Sequence, residues 1–308
     1  MAGHGVAAGY TRFMSTAAFS SAATGLSPDG SAIAFIGGGN MASALIGGLV
    51  RAGHPPGRIL VIEPGEAQRS TLQAMFGVHT AAAADAVVAD AAPADLGLAA
   101  ADLVVWAVKP QLFAQAAAPC AAQVAGALHL SVMAGIRSST IARATGATAI
   151  VRSMPNTPAL IGRGIAGLFA TPAVSAAQRA LVEQVLAPTG QLLWVAAEVD
   201  LDAVTALSGS GPAYVFYVIE AMISAATEMG LSAAQGRQLA LATLDGATAL
   251  AAASDEPPAV LRERVTSKGG TTHAALQSLA AAGVGQSLVA AIRAAQARAA
   301  ALGDEFAH

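Results

Sequence analysis

The sequence holds a single cysteine and two lysines, few charged residues of either sign, and no uncharged apolar run approaching the ~20 residues of a membrane-spanning helix. One cysteine, Cys120, excludes an intramolecular disulfide framework and a thiolate metal cluster built by this chain. Its alanine-rich helical setting makes it a small buried hydrophobe rather than a nucleophile. No metal site is expected. The formal net charge is −3 with no basic run, so nothing favours nucleic acid or an anionic membrane as a partner. The nearest candidate span, Tyr214 to Met229, is interrupted by Glu220 and Glu228. A soluble, cytoplasmic protein is expected.

What is present is apolar mass. Hydrophobic residues make up 55% of 308, enough for roughly two domains. So much apolar surface must be hidden in a core or a subunit interface. Residues 1–30 are rich in Ala, Ser and Gly without a periodic apolar face, and are expected to be a disordered extension. Residues 31–195 alternate short apolar runs with helical segments, as an α/β domain does. The strands are expected at Ile33 to Ile36, Arg58 to Ile62, Asp102 to Val108, Ala127 to Met133, Thr148 to Arg152, Ile165 to Ala170 and Gln191 to Val195. Helices are expected at Met41 to Arg51, Glu66 to Phe76 and Ser175 to Leu186, and Ala81 to Ala101 reads as helix-prone. In 196–308 no further strand is expected. Leu201 to Leu207, Ala213 to Met229, Ala233 to Ala252, Pro258 to Val265, Thr272 to Ala282 and Gly285 to Ala301 read as helices, several apolar on more than one face. A helical dimerisation domain accounts for them.

Six stretches carry chemistry. Phe35-Ile36-Gly37-Gly38-Gly39-Asn40-Met41-Ala42 fits G-x-G-x-x-A between a strand and a helix, with phosphate on the helix N-terminus, although glycines also mark plain tight turns. Glu63, a little over twenty positions on, stands where a dinucleotide fold binds the adenosine ribose, or merely caps a turn. Lys109 ends the strand Asp102 to Val108 at the ligand-binding edge of a sheet, or snorkels there. Asn156, between Pro155 and Pro158, offers an amide to a nicotinamide or ribose, or serves the turn. Ser208-Gly-Ser-Gly-Pro212 precedes a helix that Ser210 or Gly211 would cap. In Val265-Thr-Ser-Lys-Gly-Gly-Thr-Thr272, hydroxyls, free N–H groups and Lys268 make a carboxylate cradle, or Thr271 or Thr272 simply caps the following helix.

At these residues the chain from about Ile33 to Ala301 resembles the pyrroline-5-carboxylate reductases. The resemblance rests on Phe35 to Met41, Ala107-Val-Lys-Pro110, Met154-Pro-Asn-Thr-Pro158, Asp202 to Tyr214 and Val265 to Thr272, in this order. It implies an α/β Rossmann N-terminal domain followed by an all-α C-terminal dimerisation domain, a homodimer that can assemble into a decamer, and NADPH- or NADH-dependent reduction of 1-pyrroline-5-carboxylate to L-proline, the last step of proline biosynthesis. Cofactor contacts implied are Ile36, Gly37, Gly38, Gly39, Asn40 and Met41 at the pyrophosphate, Glu63 and Pro64 at the ribose, and Ala107, Val108, Lys109, Pro110, Val132, Met133 and Ala134 along the dinucleotide. Substrate contacts fall on Ser267, Gly269, Gly270, Thr271 and Thr272; with the carboxylate held there, the Thr272 hydroxyl is expected to face the ring nitrogen, directly or through water, as the catalytic group. Asp255 is a weaker candidate for a charge near that nitrogen. Three departures stand out: Lys268 where many relatives have proline, Glu63 where some have a small hydroxyl residue for a 2′-phosphate, and Ala82 to Ala84 lacking a cofactor-binding asparagine. The rival readings are another imine or β-hydroxy-acid reductase on the same two-domain plan, whose catalytic Lys or Asp the helix Ala213 to Met229 lacks, and a dinucleotide-sensing scaffold without chemistry.

Overall fold

The structure is a computed structural model and describes residues 30–86 and 96–306. The expected extension, Gly30 apart, and part of the Ala81 to Ala101 stretch lie outside the described residues. Eight strands form one sheet: β1 (Ile33–Ile36), β2 (Ile59–Ile62), β3 (His79–Ala81), β4 (Leu103–Trp106), β5 (Leu128–Ser131), β6 (Ile150–Met154), β7 (Gly164–Ala170) and β8 (Gly190–Trp194), in spatial order 3-2-1-4-5-6-7-8. Pairing is parallel from β3 to β6 and again between β7 and β8, while β6 and β7 run antiparallel. The helices of this half are α1 (Asn40–Arg51), α2 (Glu66–Phe76), α3 (Phe113–Ala117), α4 (Ala121–Val124), α5 (Ser138–Thr145) and α6 (Ala176–Leu186).

Side chains alternate between two buried faces. Ala34, Ile36, Leu60, Ile62, Val104 and Trp106 enter one core, and Ile33, Phe35, Ile59, Val61, Leu103 and Val105 the other. Helices cover both faces, so β1, β2 and β4 carry apolar residues at every position rather than at every second one. A polar pair is satisfied inside: Trp106 Nε1 donates to His129 Nδ1 at 2.8 Å, and His129 Nε2 lies 2.9 Å from the Val124 carbonyl. With Nδ1 accepting, the proton sits on Nε2. Burial lowers the His129 pKa against the opposing pull of the Val124 carbonyl, so the ring stays neutral.

The second half is α7 (Asp200–Val204), α8 (Gly211–Glu228), α9 (Ala233–Ala252), α10 (Pro258–Arg264), α11 (Thr271–Ala281) and α12 (Val284–Glu305). No single helix among the described residues is long and apolar enough to cross a membrane. The end of α12 returns to the sheet domain, where Asp304 pairs with Arg137 at 2.9 Å and Phe306 covers Gly135.

Several expectations are corrected. His79–Ala81 is a strand the apolar-run criterion missed, because a three-residue edge strand needs no apolar run. The described parts of Ala81 to Ala101 make two single 3-10 turns, Ala84–Ala86 and Leu98–Ala100, rather than a helix. The expected helix Leu201 to Leu207 is α7 followed by a π-helical turn, Thr205–Gly209, closed by the Ser210 N–H donating to the Thr205 carbonyl at 2.8 Å. Ser210 does not cap α8 through its side chain, because the chain is already helical there.

One buried ion pair joins the two halves. Glu198, before α7, accepts from Arg152 of β6 at 2.9 Å and from the Ser138 N–H and hydroxyl at 2.6 and 2.8 Å. Burial alone would raise the Glu198 pKa, but the two Ser138 bonds and Arg152 outweigh it and hold the carboxyl below its ordinary value. The stabilisation is therefore full above the unfolded pKa of about 4.3 and is lost as pH falls through the lower folded value. Glu198→Gln strands the Arg152 guanidinium and is expected to cost about 3 kcal/mol near neutrality. Thermal melts between pH 7 and 3 should show a smaller loss of Tm on acidification than in the unsubstituted chain. Parallel pH profiles would contradict this role.

Candidate active site

At the carboxyl edge of the sheet, a cavity of about 520 Å³ opens between the ends of β2, β1 and β4. Its volume lies in the range of small-molecule sites. Of the residues expected to hold a dinucleotide, Ile36, Gly37, Gly39, Glu63, Pro64, Ala107, Val108 and Lys109 line it. Gly37 has φ +97°, and a Cβ there would stand 2.7 Å from the Ala107 carbonyl oxygen. Only glycine lets the turn pass so close to β4. Gly39 is the opposite case: a Cβ would meet nothing within 4 Å, because the position faces the cavity. It is the N-cap of α1 in extended conformation, with no side-chain cap, and so leaves the first N–H groups of the helix free. A floor of uncapped N–H groups beneath a gap the width of a side chain fits a pyrophosphate.

Glu63 both faces the cavity and caps the turn. Its Oε2 accepts from the Gly38 N–H and its Oε1 from the Gly65 N–H, each at 2.9 Å. Asn40, Met41 and Gly38 adjoin the cavity in sequence without lining it, as does Pro110. Val132, Met133 and Ala134 follow β5, with the Val132 N–H donating to the Trp106 carbonyl at 3.1 Å. The Met133 side chain is buried in the core, so only its backbone is available to a ligand. Sequence reasoning did not find Leu112, Gln115, Ala116 and Pro119, which line the cavity with Cys120 and with Ala82, Ala83 and Ala84. Small, mostly apolar side chains carry no local signal of this kind. Cys120 donates to the Ala116 carbonyl, and burial pushes its thiol pKa up to about 11, which leaves it protonated at neutral pH.

Asn156 bonds to protein on both sides of its amide. Nδ2 donates to the Ser208 carbonyl at 3.1 Å and Oδ1 accepts from the Ile165 N–H at 3.0 Å, tying the loop after β6 to the π-helical turn. The turn-chemistry reading therefore describes it.

The loop before α11 ends in an uncapped helix start. The Gly270 N–H donates to the Ser267 carbonyl at 3.0 Å, and Gly269, with φ +75°, occupies the third position of that turn, where glycine is required in type II geometry. Lys268 takes the second position, which proline suits, and the turn closes without proline. A Cβ on Gly270 would come 2.5 Å from Ser267 Oγ. Gly270, not Thr271 or Thr272, is the N-cap of α11, and no side chain caps it. The capping alternative for the two threonines is thereby corrected: they stand inside the first turn, with their N–H groups at an uncapped, electropositive helix end. Ser267, Lys268, Gly269 and Thr271 are exposed, Gly270 and Thr272 half-buried. No residue of this loop lines the sheet-edge cavity, whose walls all come from residues up to Cys120.

Around the helices of the second half, exposed apolar residues accumulate. Val215, Phe216, Tyr217 and Val218 of α8 are 48, 60, 74 and 44% exposed, and Val215, Phe216 and Val218 line a wide apolar groove with Leu244, Leu288 and Ile292.

Comparison with known proteins agrees with this geometry. A family model described as pyrroline-5-carboxylate reductase dimerisation matches residues 198–302, and one described as NADP oxidoreductase, coenzyme F420-dependent, matches residues 32–135. The pyrroline-5-carboxylate reductase of Pseudomonas aeruginosa is 42% identical over 278 residues, covering 89% of this chain and 97% of that one. The enzyme of Haemophilus influenzae is 39% identical over 269 residues, 86% of this chain and 95% of the relative. Among solved structures, the pyrroline-5-carboxylate reductase of Coxiella burnetii superposes with a TM-score of 0.80 at 34% identity, covering 88% of this chain and 98% of that one. The Plasmodium falciparum pyrroline carboxylate reductase with NADP bound gives 0.77 at 26% identity, over 89% and 98%. By sequence over nearly its whole described length, and by fold, the chain belongs to the pyrroline-5-carboxylate reductase family.

Proposed function

We propose that this chain reduces the C=N bond of 1-pyrroline-5-carboxylate to give L-proline, with NADPH or NADH in the sheet-edge cavity and the substrate carboxylate on the loop before α11. The observation that carries the reading is the uncapped Gly270–Thr272 helix start, a carboxylate seat in a chain that also has a dinucleotide cleft. Bound NAD(P)H supplies a hydride to the imine carbon. The N–H groups of Gly269, Thr271 and Thr272, with Ser267, hold the carboxylate and thereby fix the ring, while the Gly270 N–H closes the turn on the Ser267 carbonyl. The Thr272 hydroxyl sits at the ring nitrogen and keeps the proton of the iminium in place. Since a protonated imine is already strongly electrophilic, orientation and exclusion of water are the protein's main contributions. Asn40, Met41 and the free N–H groups of α1 bind the pyrophosphate. Pro110, Val132, Met133 and Ala134 extend the cofactor surface past β4 and β5 through backbone groups.

The cavity has no wall from the helical half, and the threonine loop does not reach it within one chain. The complete site therefore combines the cavity of one subunit, residues 31–195, with the loop of its partner, residues 196–308. The exposed apolar groove of α8 is the surface that joins them, in a homodimer from which a decamer is built. The setting is the cytoplasm, where a single thiol stays reduced.

Consumption of NADH or NADPH on adding 1-pyrroline-5-carboxylate, with proline as product, tests the activity, and absence of turnover with both cofactors would refute it. Thr272→Ala is expected to lower kcat/KM by about 10- to 100-fold, the worth of a hydrogen bond to a charged group, with cofactor affinity unchanged. Thr272→Ser should recover most of the loss. Unchanged turnover and KM in the alanine variant would show that the hydroxyl has no such part.

A further inference from the structure

We infer that the cavity selects NADH over NADPH, and that Glu63 is the residue that selects. The inference rests on the reading of the cavity as a dinucleotide site. Glu63 ends β2, where the adenosine ribose sits in this topology. Its carboxylate is pinned at that point, Oε2 by the Gly38 N–H and Oε1 by the Gly65 N–H, both at 2.9 Å. The seat is shaped for it: a Cβ on Gly38 would stand 2.7 Å from Leu72 Cδ1 and 3.3 Å from Glu63 Cβ and Cγ.

A carboxylate has about four acceptor sites, so two backbone bonds leave two for the 2′- and 3′-hydroxyls of a ribose. A 2′-phosphate offers no donor when ionised, and brings about two negative charges against a third that cannot swing away. Among the described residues no cation lines the cavity on this side. Glu63 and Lys109 are the charged residues that line the cavity, and Lys109 follows β4, on the opposite side of β1 from β2. Arg69, the nearby cation, does not line the cavity, and its Nη1 is engaged by the Glu63 and Pro64 carbonyls at 2.8 and 2.7 Å. The facing wall, Ala82 to Ala84, has no polar side chain with which to grip a phosphate.

The test pairs binding with turnover on the full chain. Titration with ADP-ribose and with its 2′-phosphate should show the unphosphorylated compound binding tighter by about tenfold or more, and kcat/KM should favour NADH over NADPH in the same sense. Glu63→Ser and the near-isosteric Glu63→Gln should each narrow the ratio by about tenfold, whatever they do to overall affinity. Equal or tighter binding of the 2′-phosphate by the unsubstituted chain would overturn the inference, and so would a ratio that neither variant moves. If the two ADP-riboses are discriminated but neither reduced cofactor turns over 1-pyrroline-5-carboxylate, the proposed reaction fails and the selectivity stands. If both cofactors turn over without preference, the reaction stands and the selectivity fails.

Discussion

Gly39→Asp is expected to leave the fold as stable as before, or slightly more so, while weakening NAD(P)H binding by at least about 100-fold and removing turnover with it. The two effects separate because of where Gly39 stands. It is the N-cap of α1, with φ −67° and ψ −169°, a conformation any residue adopts, and a side chain there meets nothing within 4 Å. Aspartate is among the preferred N-cap residues and would satisfy N–H groups that glycine leaves free. In the proposed site those N–H groups bind the pyrophosphate, and the new carboxylate would occupy its place with the same sign of charge. Thermal melts and cofactor titration of the one variant measure both halves. Loss of stability with affinity retained would mean that the glycine turn is structural only.

Phe216→Asp carries the second large effect, on assembly. Phe216 is 60% exposed in the single chain, among Val215, Tyr217 and Val218 on α8, and of that helix only Ala226 is buried. Consecutive residues point around a helix, so α8 is apolar and exposed on more than one side, which is the mark of a helix covered by another subunit. A charge at Phe216, which lines the apolar groove, would have to be desolvated without a partner, which typically costs several kcal/mol at an interface core, or at least about 100-fold in dimer affinity. Light scattering should then find monomer at micromolar concentration. Turnover should fall in proportion to the dimer, because the proposed site takes its cavity and its threonine loop from different subunits. A monomer with full activity would show that one chain makes a whole site.

How far the residues announced this can be traced element by element. The strands of the sheet centre were legible because both faces are buried, so Ile33–Ile36, Ile59–Ile62 and Leu103–Trp106 are unbroken apolar runs. The edge strand His79–Ala81 was not, since it buries one side chain of three. The antiparallel β7 was expected as a strand but not in its direction; a short 3-10 stretch, Thr157–Ile161, replaces the crossover helix that a parallel neighbour would need. In the site, glycines with positive φ or close neighbours, Gly37 and Gly269, betray themselves by residue type. Of the alternatives at Glu63 and the threonines, geometry decides the capping ones. Glu63 turned out to bond the turn while also lining the cavity, and the capping position fell on Gly270. Leu112, Ala116 and Pro119 had no signal, because a cavity wall made of small apolar groups looks like any core.

The central claim is that each active site is shared between two subunits, and mixing two inactive variants tests it most directly. One variant carries Gly39→Asp, which spoils the cavity; the other carries Gly269→Val with Thr272→Ala, which spoils the loop. Each alone should be inactive. Refolded or co-expressed at equal amounts, half of the dimers are mixed, and each mixed dimer has one site built from an intact cavity and an intact loop. Activity should return to roughly a quarter of that of the unsubstituted protein. If cavity and loop act within one chain, every site keeps a defect, and the mixture, shown by its mass to have exchanged subunits, would remain as inactive as its components.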